Sequence, residues 1–313
     1  AIFLAYKVIV IVGPTAVGKT SLSLALAQKF DAEIISGDSM QVYRGLDIGT
    51  AKATVDERKL VPHHLIDIRE VNQRFTVADF VQDAKDQIKE ISNRKKLPLI
   101  VGGTGFYLQA LLAGYNLGGN EVKNSQDIRI KFQNFALKNG KKALWSYLNE
   151  IDRVAAAQIP VNNVRRIIRA IEVYEVTGCK FSEQFDQPDR EIDALVIGLN
   201  TERNVLYERI EQRVDQMIHE GLVDEVRWLF QKGGIDFQAG KGIGYKELFP
   251  FINGTDSLAN GVAEIKKNSR HYAKRQLTWF RNKMDVTWFN LFSDETEIEK
   301  IENTGLLWVK EKG

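Results

Sequence analysis

A single cysteine, Cys179, occurs in the 313 residues, so neither an intrachain disulfide nor a zinc site built from several cysteines can form. No stretch reaches the 18 apolar residues that a membrane-spanning helix needs. The chain also lacks internal repeats, low-complexity tracts and a surplus of either charge, since 43 Lys and Arg face 41 Asp and Glu. These absences exclude a disulfide scaffold, a membrane-embedded protein and a repeat protein, and we expect a cytoplasmic protein with a full hydrophobic core.

The opening run, AIFLAYKVIVIV (1–12), is apolar. A signal peptide would have basic residues in front of its apolar region, and this run has none. Its β-branched part is typical of a strand buried on both faces. The sequence GPTAVGKT (13–20) follows directly, and after it comes a segment with helical apolar spacing (21–30). Strand, G-x-x-x-x-G-K-T and helix in this order predict a phosphate-binding loop.

The chemistry of such a loop comes from backbone N–H groups that converge on an anion at a helix N-terminus. Lys19 is expected to reach the outer phosphate, and the Thr20 hydroxyl to ligate Mg²⁺. The motif alone leaves open whether the phosphates belong to ATP, to GTP or to another donor.

Asp38 follows a second short strand, predicted over 33–36. Ligands of an open parallel sheet bind at the carboxyl ends of its strands, so Asp38 should face the phosphate loop. There it could hold Mg²⁺ through water or act as a general base, although capping of a turn is an alternative role.

A third strand, LPLIVGG (97–103), ends on glycines and Thr104, where a hydrolysing ATPase usually has an acidic residue. Small residues allow a bulky group or a backbone to come close. The pattern therefore favours a transferase pocket over an ATPase.

Basic residues concentrate in the segment 262–283, where seven Lys or Arg accompany one acid, Glu264. Helical spacing places one apolar stripe beside a cationic stripe, as binding of a nucleic-acid backbone needs. A second basic helix, NNVRRIIRAIEVY (162–174), presents arginines that fit either the lid of a kinase or an RNA contact. Arg209 and Arg213 lie four residues apart. They either form solvated ion pairs with Glu residues or provide a second phosphate-binding site.

Strand runs are missing between residues 117 and 192, which read as short helices. The sequence therefore predicts an α/β fold with a P-loop NTPase-like parallel sheet, formed by 1–116 and 193–313 and interrupted by an all-helical insertion at 117–192. The adjacent histidines of PHHL (62–65) point to opposite sides if they lie on a strand, so they predict no metal site.

Together, several motifs resemble the tRNA dimethylallyltransferase (isopentenyl-tRNA transferase, or IPP transferase) family, in the family's order and over residues 8 to about 290. The matching stretches are GPTAVGKT, DSMQVYRGLDIGTAK, PHHLID, GGTGFY, RRIIRAIEVY, RIEQRVDQMIHEGL, GIGYKE and YAKRQLTWFR. Ala53, Phe106 and Ile171 depart from the usual residues without touching a chemical role. No counterpart of the eukaryotic zinc finger is present in these residues, so the resemblance is to the bacterial type.

The resemblance implies transfer of the dimethylallyl group from dimethylallyl diphosphate to the exocyclic amine of the adenosine 3′ of the anticodon, in tRNAs that read codons beginning with U. Mg²⁺ is the implied cofactor, the tRNA anticodon stem-loop the implied partner, and a monomer the implied state. The implied catalytic residues are Asp38 as base with Thr20, Lys19 and Thr104. Diphosphate binding is implied for Gly13, Pro14, Thr15, Ala16, Val17, Gly18, Lys19 and Thr20, with Arg209 or Arg213.

Contacts to tRNA are expected from the loop after the second strand, from the helical insertion and from the basic helix. The residues concerned are Asp38, Ser39, Met40, Gln41, Thr104, Arg129, Arg165, Arg166, Ile167, Ile168, Arg169, Lys267, Arg270, Lys274 and Arg275. Three alternatives are a P-loop small-molecule kinase, a prenyltransferase of free adenosine phosphates and a non-catalytic RNA-binding protein with a nucleotide switch. The cationic helix argues against the first two, because a small substrate does not require it.

Overall fold

The computed structural model describes residues 5–113, 126–185 and 191–311. The chain divides into two compact units, Ala1–Leu111 with Arg190–Gly313, and Leu112–Asp189. Of the boundaries expected from sequence, the one at 116–117 lies outside the described residues, and the one at 192–193 falls at the start of a strand. Within the described residues, no helix combines the length and hydrophobicity that crossing a bilayer requires.

A six-stranded sheet, parallel in every pairing, forms from the described residues of the first unit. Its strands are β1 (Tyr6–Val12), β2 (Ala32–Ser36), β3 (His63–His64), β4 (Leu97–Gly102), β5 (Ile192–Leu199) and β6 (Thr287–Phe289). The order across the sheet is β3-β2-β4-β1-β5-β6. The predicted parallel α/β fold is confirmed.

Helices cover this sheet and build the second unit. Before the second unit come α1 (Lys19–Phe30), α2 (Val55–Leu60), α3 (Val77–Asn93) and α4 (Gly105–Leu112). The second unit contains α5 (Gln126–Asn139), α6 (Lys141–Ile151), α7 (Arg153–Gln158) and α8 (Val164–Thr177). The first unit resumes with α9 (Arg203–Glu220), α10 (Leu222–Gln231), α11 (Phe249–Ile252), α12 (Leu258–Lys283) and α13 (Glu297–Lys310).

The core of the first unit surrounds β1, whose residues 8–12 are fully buried. Leu22 and Leu26 of α1 and Leu206 and Ile210 of α9 belong to the same apolar cluster as the side chains of β1. Burial on both faces explains why β1 is a continuous β-branched run rather than an alternating one.

Three neighbouring strands of the sheet, β2, β4 and β1, run in the same direction. The loops that follow them carry Asp38, Thr104 and the phosphate loop respectively. The topology thus brings three distant sequence motifs to one edge of the sheet.

Candidate active site

The phosphate loop joins β1 to α1 through backbone conformations that favour glycine. Gly13 and Gly18 have φ angles of +152° and +98°, and Gly18 is the residue at which α1 is capped. A Cβ at Gly13 would lie 2.6 Å from the carbonyl oxygen of Leu199 in β5. The glycines therefore allow the loop to close tightly against the neighbouring strand while the first turn of α1 keeps its unpaired N–H groups.

Lys19 folds back over this loop. Its Nζ donates hydrogen bonds to the carbonyl oxygens of Gly13, at 2.9 Å, and Pro14, at 2.6 Å. Burial and the nearby Arg213 lower the pKa of the Lys19 amine to about 7, although Asp38 acts in the opposite direction. The amine is therefore poised to become more basic when an anion arrives.

A cavity of about 760 Å³ opens at this edge of the sheet. Its wall combines the phosphate loop, the loop after β2, the end of β4, and helices α9 and α12. Of the residues predicted for the site, it is lined by Thr15, Ala16, Val17, Gly18, Lys19, Thr20, Asp38, Ser39, Met40, Gln41, Arg209, Arg213 and Arg275. The structure thus brings together the predicted diphosphate residues and the predicted base.

Gly13, Pro14 and Thr104 do not line that cavity themselves. Gly13 and Pro14 act through the carbonyls that hold Lys19. The Thr104 hydroxyl accepts a hydrogen bond from the Ser39 amide at 3.2 Å and so joins the end of β4 to the loop after β2.

Asp38 caps a turn, which is one of the roles that the sequence left open, while its role as a base stays a prediction. Its Oδ1 accepts from the amides of Met40, at 2.7 Å, and Gln41, at 3.2 Å, and thereby caps a turn. Burial raises the pKa of the carboxyl group, against the lowering effect of those amides and of Lys19 and Arg213. A carboxylate of raised pKa beside a cavity is suited to accept a proton.

The two arginines of α9 differ in their partners. Arg209 donates from Nε to the carbonyl oxygen of Ala16 at 2.9 Å, and its guanidinium lies 4.2 Å from the ring centre of Phe292. Arg213 forms no hydrogen bond with another residue in the described part of the chain. Burial, opposed by Asp38, lowers the pKa of Arg213.

The loop after β2 is fixed by a residue that the sequence did not single out. The carboxylate of Glu225 in α10 accepts from the amides of Asp47, Ile48 and Gly49 at 2.9–3.2 Å, and from the Tyr245 hydroxyl at 2.6 Å. Nothing in the local pattern marks Glu225, although Tyr245 lies in the GIGYKE motif. A carboxylate on three successive amides is a strong, charge-assisted anchor.

The glycines at and after the end of β4 leave room for side chains of α12 and for a neighbouring backbone, and Gly102 and Gly103 also line the cavity. A Cβ on Gly103 would come 2.2 Å from the side-chain amide of Gln276, and one on Gly105 would come 2.4 Å from the ring of Trp279. Gly102 in turn lies against the backbone of Gly37.

The cationic face of α12 is partly neutralised by a neighbouring helix. Arg270 pairs with Glu211 of α9 at 2.6 Å, and Lys267 pairs with Glu264 at 3.2 Å. Arg270 is expected to be available to RNA if only the acids of segment 262–283 are considered. Glu211, which pairs with it, lies outside that segment on α9. Lys274 and Arg275 are exposed and form no ion pair among the described residues.

In the second unit, the structure contradicts direct tRNA contact by two of the predicted side chains. Ile167 and Ile168 of α8 are buried in the core of that unit, because the apolar side of the helix packs there. Arg165 and Arg166 are exposed on the same helix.

Arg129 and Arg169 share a buried acid in that unit. The carboxylate of Glu172, only 1% exposed, accepts from Arg129 at 2.6 Å and from Arg169 at 2.9 Å. Since both guanidinium groups hold this carboxylate, Arg129 and Arg169 have a structural role in that unit, and their contact with tRNA stays a prediction.

The histidines of PHHL bind protein groups. His64 Nε2 lies 2.6 Å from the carboxylate of Glu33, which Arg94 also contacts at 2.7 Å. His63 Nδ1 lies 2.7 Å from the carbonyl oxygen of Val61. Within the described ranges, no three His, Cys, Asp or Glu side chains group as metal ligands.

Comparison with known proteins identifies the family. The model of the family described as IPP transferase matches residues 41–283. The tRNA dimethylallyltransferase of Limosilactobacillus fermentum is 58% identical over 97% of this chain and 99% of its own length, and that of Enterococcus faecalis is 51% identical over 98% of each.

Solved structures agree in fold. The tRNA isopentenylpyrophosphate transferase of Bacillus halodurans is 47% identical, covers 96% of both chains and superposes with a TM-score of 0.72. A eukaryotic dimethylallyltransferase acting on tRNA is 28% identical over 98% of this chain and 81% of its own, with a TM-score of 0.82.

Proposed function

Because the chain belongs to the IPP transferase family, we propose that this prenyl-transferring enzyme acts on tRNA. In the proposed reaction, the dimethylallyl group of dimethylallyl diphosphate moves to the exocyclic amine of the adenosine 3′ of the anticodon, and diphosphate is released. Its substrates are tRNAs that read codons beginning with U. The observation that carries the proposal is one cavity whose wall contains both the phosphate loop and Asp38.

The donor's diphosphate is held by the loop amides, Lys19 and Arg213. Arg213 is the better candidate of the two arginines, because the Nε of Arg209 already supports the loop at Ala16. An allylic C–O bond breaks more easily when the leaving diphosphate is surrounded by positive charge.

A magnesium ion fits this donor set. Thr20 lies on the cavity wall at the start of α1, and Mg²⁺ characteristically takes one or two protein oxygens together with substrate phosphates and waters. The Thr20 hydroxyl would hold it, and when bound it would neutralise part of the diphosphate charge.

The acceptor amine is a weak nucleophile, since its lone pair is delocalised into the adenine ring. Its nitrogen forms a bond to the allylic carbon as the C–O bond breaks, and the electron pair of that bond leaves with the diphosphate. The proton of the amine passes to Asp38, whose raised pKa matches this role.

Recognition of the RNA is assigned to one surface on each of the two units. In the first unit it comprises the loop residues Ser39–Gln41 with Thr104, and the exposed Lys274 and Arg275 of α12. In the second unit it comprises the exposed Arg165 and Arg166. An unpaired loop base is the least costly to extrude, which makes an anticodon loop a suitable target. We further propose that the protein acts as a monomer in the cytoplasm.

A transfer assay tests the proposal. Labelled dimethylallyl diphosphate and Mg²⁺ are mixed with an anticodon stem-loop that carries adenosine 3′ of the anticodon, and with a matched stem-loop that carries guanosine there. Label is expected in the first RNA and not in the second. Two parallel reactions hold the donor with free AMP and ATP without a prenyl donor; label that enters AMP but not RNA, or phosphate release from ATP, would refute the proposal.

A further inference from the structure

A buried side-chain amide on α12 connects the two loops of the cavity. Gln276 is 5% exposed. Its Oε1 accepts from the backbone amide of Thr15 at 3.1 Å, and its Nε2 donates to the carbonyl oxygen of Gly103 at 3.0 Å. Both ends of one side chain are therefore satisfied by backbone groups of two different loops.

Glycine at position 103 allows Gln276 to reach the loop after β4. Residue 103 must be glycine for the amide to reach it, since a Cβ there would lie 2.2 Å from Nε2. The adjacent Thr104 accepts from the amide of Ser39. The adjacent residues Gly103 and Thr104 thus carry two sets of hydrogen bonds, one to the phosphate loop through Gln276 and one to the loop that carries Asp38.

The phosphate loop depends on outside support at this point. Ala16 has a φ of +63°, which is unfavourable for a residue other than glycine. Arg209 holds its carbonyl oxygen, and Gln276 holds the amide of the preceding Thr15. The two contacts fix both sides of the strained residue.

We propose that Gln276 is a positioning residue for the donor, which keeps the phosphate loop in its anion-binding shape before the diphosphate arrives. The proposal rests on the function proposed above. A preorganised loop binds its anion without an ordering cost, so loss of the connection should weaken donor binding and leave RNA binding unaffected.

The test replaces Gln276 by methionine, which has similar length and no hydrogen-bonding amide. In Gln276→Met, the KM for dimethylallyl diphosphate and the Kd for inorganic pyrophosphate should both rise about tenfold, the equivalent of one strong hydrogen bond. The KM for the RNA should change less than twofold. A merely destabilised protein would have a smaller folded fraction and thus a lower apparent kcat, with the KM unchanged.

Two further variants complete the design. Asn282→Met removes an exposed amide from the same helix and should leave every constant unchanged. In Gly103→Ala, the new Cβ displaces the side chain of Gln276, so the KM for the donor should rise as it does in Gln276→Met. In the double variant Gly103→Ala with Gln276→Ala, the donor KM should be close to that of Gln276→Ala alone, because the side chain with which the Cβ would clash is absent.

Unchanged donor KM and pyrophosphate Kd in both Gln276→Met and Gly103→Ala would overturn the inference. Failure of the proposed function is recognised separately, because the wild-type protein would then not label RNA. The pyrophosphate Kd still tests the role of Gln276 in that case.

Discussion

Donor binding is expected to draw a proton from solvent, and Lys19 is the group that takes it. In the ligand-free protein, burial and Arg213 lower the pKa of its amine to about 7. At pH 8 roughly nine amines in ten are then neutral. A bound diphosphate favours the ammonium form and raises this pKa again.

The magnitude follows from these two states. Full protonation on binding corresponds to an uptake of about 0.9 proton per site at pH 8 and about 0.5 at pH 7. The affinity for the donor should therefore weaken with rising pH, by nearly a factor of ten per pH unit above about pH 8, until the pKa of the bound state is reached.

Calorimetric titration of dimethylallyl diphosphate into RNA-free protein measures this uptake at constant Mg²⁺, in two buffers of different ionisation enthalpy. At pH 8 the terminal phosphate of the donor is already ionised, so it contributes little. Lys19→Arg is the matched control, because a guanidinium stays charged and should abolish the uptake. Asp38→Asn should retain it. Heats that do not depend on the buffer, or equal uptake in Lys19→Arg, would refute the reasoning.

Asp38→Asn should lower kcat by roughly 10²–10⁴ with RNA affinity within twofold, measured by single-turnover transfer and filter binding; a near-normal rate would remove it as the base. Replacing Lys274 and Arg275 by glutamine should reduce the slope of log Kd for RNA against log salt by about 1.4, and an unchanged slope would mean that neither contacts phosphate. Glu225→Gln weakens the anchor of the loop after β2, so the KM for RNA should rise while that for the donor stays constant; the opposite pattern would contradict this role. Glu172→Gln should destabilise the second unit by about 1–3 kcal/mol in thermal unfolding, and an unchanged melting temperature would show that the buried acid contributes nothing.

The sequence was sufficient for features that depend on local pattern and on general rules of topology. A β-branched run followed by G-x-x-x-x-G-K-T predicts strand, loop and helix, and β1, the loop and α1 occur as predicted. The rule that ligands bind at the carboxyl ends of parallel strands was enough to place Asp38 beside Lys19. Both inferences need only residues that are close in sequence.

The features that could not be predicted from the sequence arise from tertiary contacts between residues far apart in the chain. Gln276 and Glu225 lie on helices, where a polar residue is usually solvated. Tertiary contacts alone bury Gln276 and bring the carboxylate of Glu225 to the amides of the loop after β2. Arg270 looked available because its partner, Glu211, lies 59 positions away on α9. The tRNA contact of Ile167 and Ile168 was implied by the resemblance alone, whereas the apolar spacing of that helix indicates that both side chains pack, as they do.

The anchor formed by Glu225 has a consequence for how the protein is made. The carboxylate and the amides it holds are separated by 176–178 positions in the chain, and β1 pairs with β5 on one side. A ribosome therefore releases the phosphate loop and the loop after β2 long before either has its support. Contacts of such long range form late and slowly. The cavity is thus among the last parts to form, and a nascent chain lacking its C-terminal third holds the phosphate loop and the loop after β2 without Gln276 and Glu225, which support them.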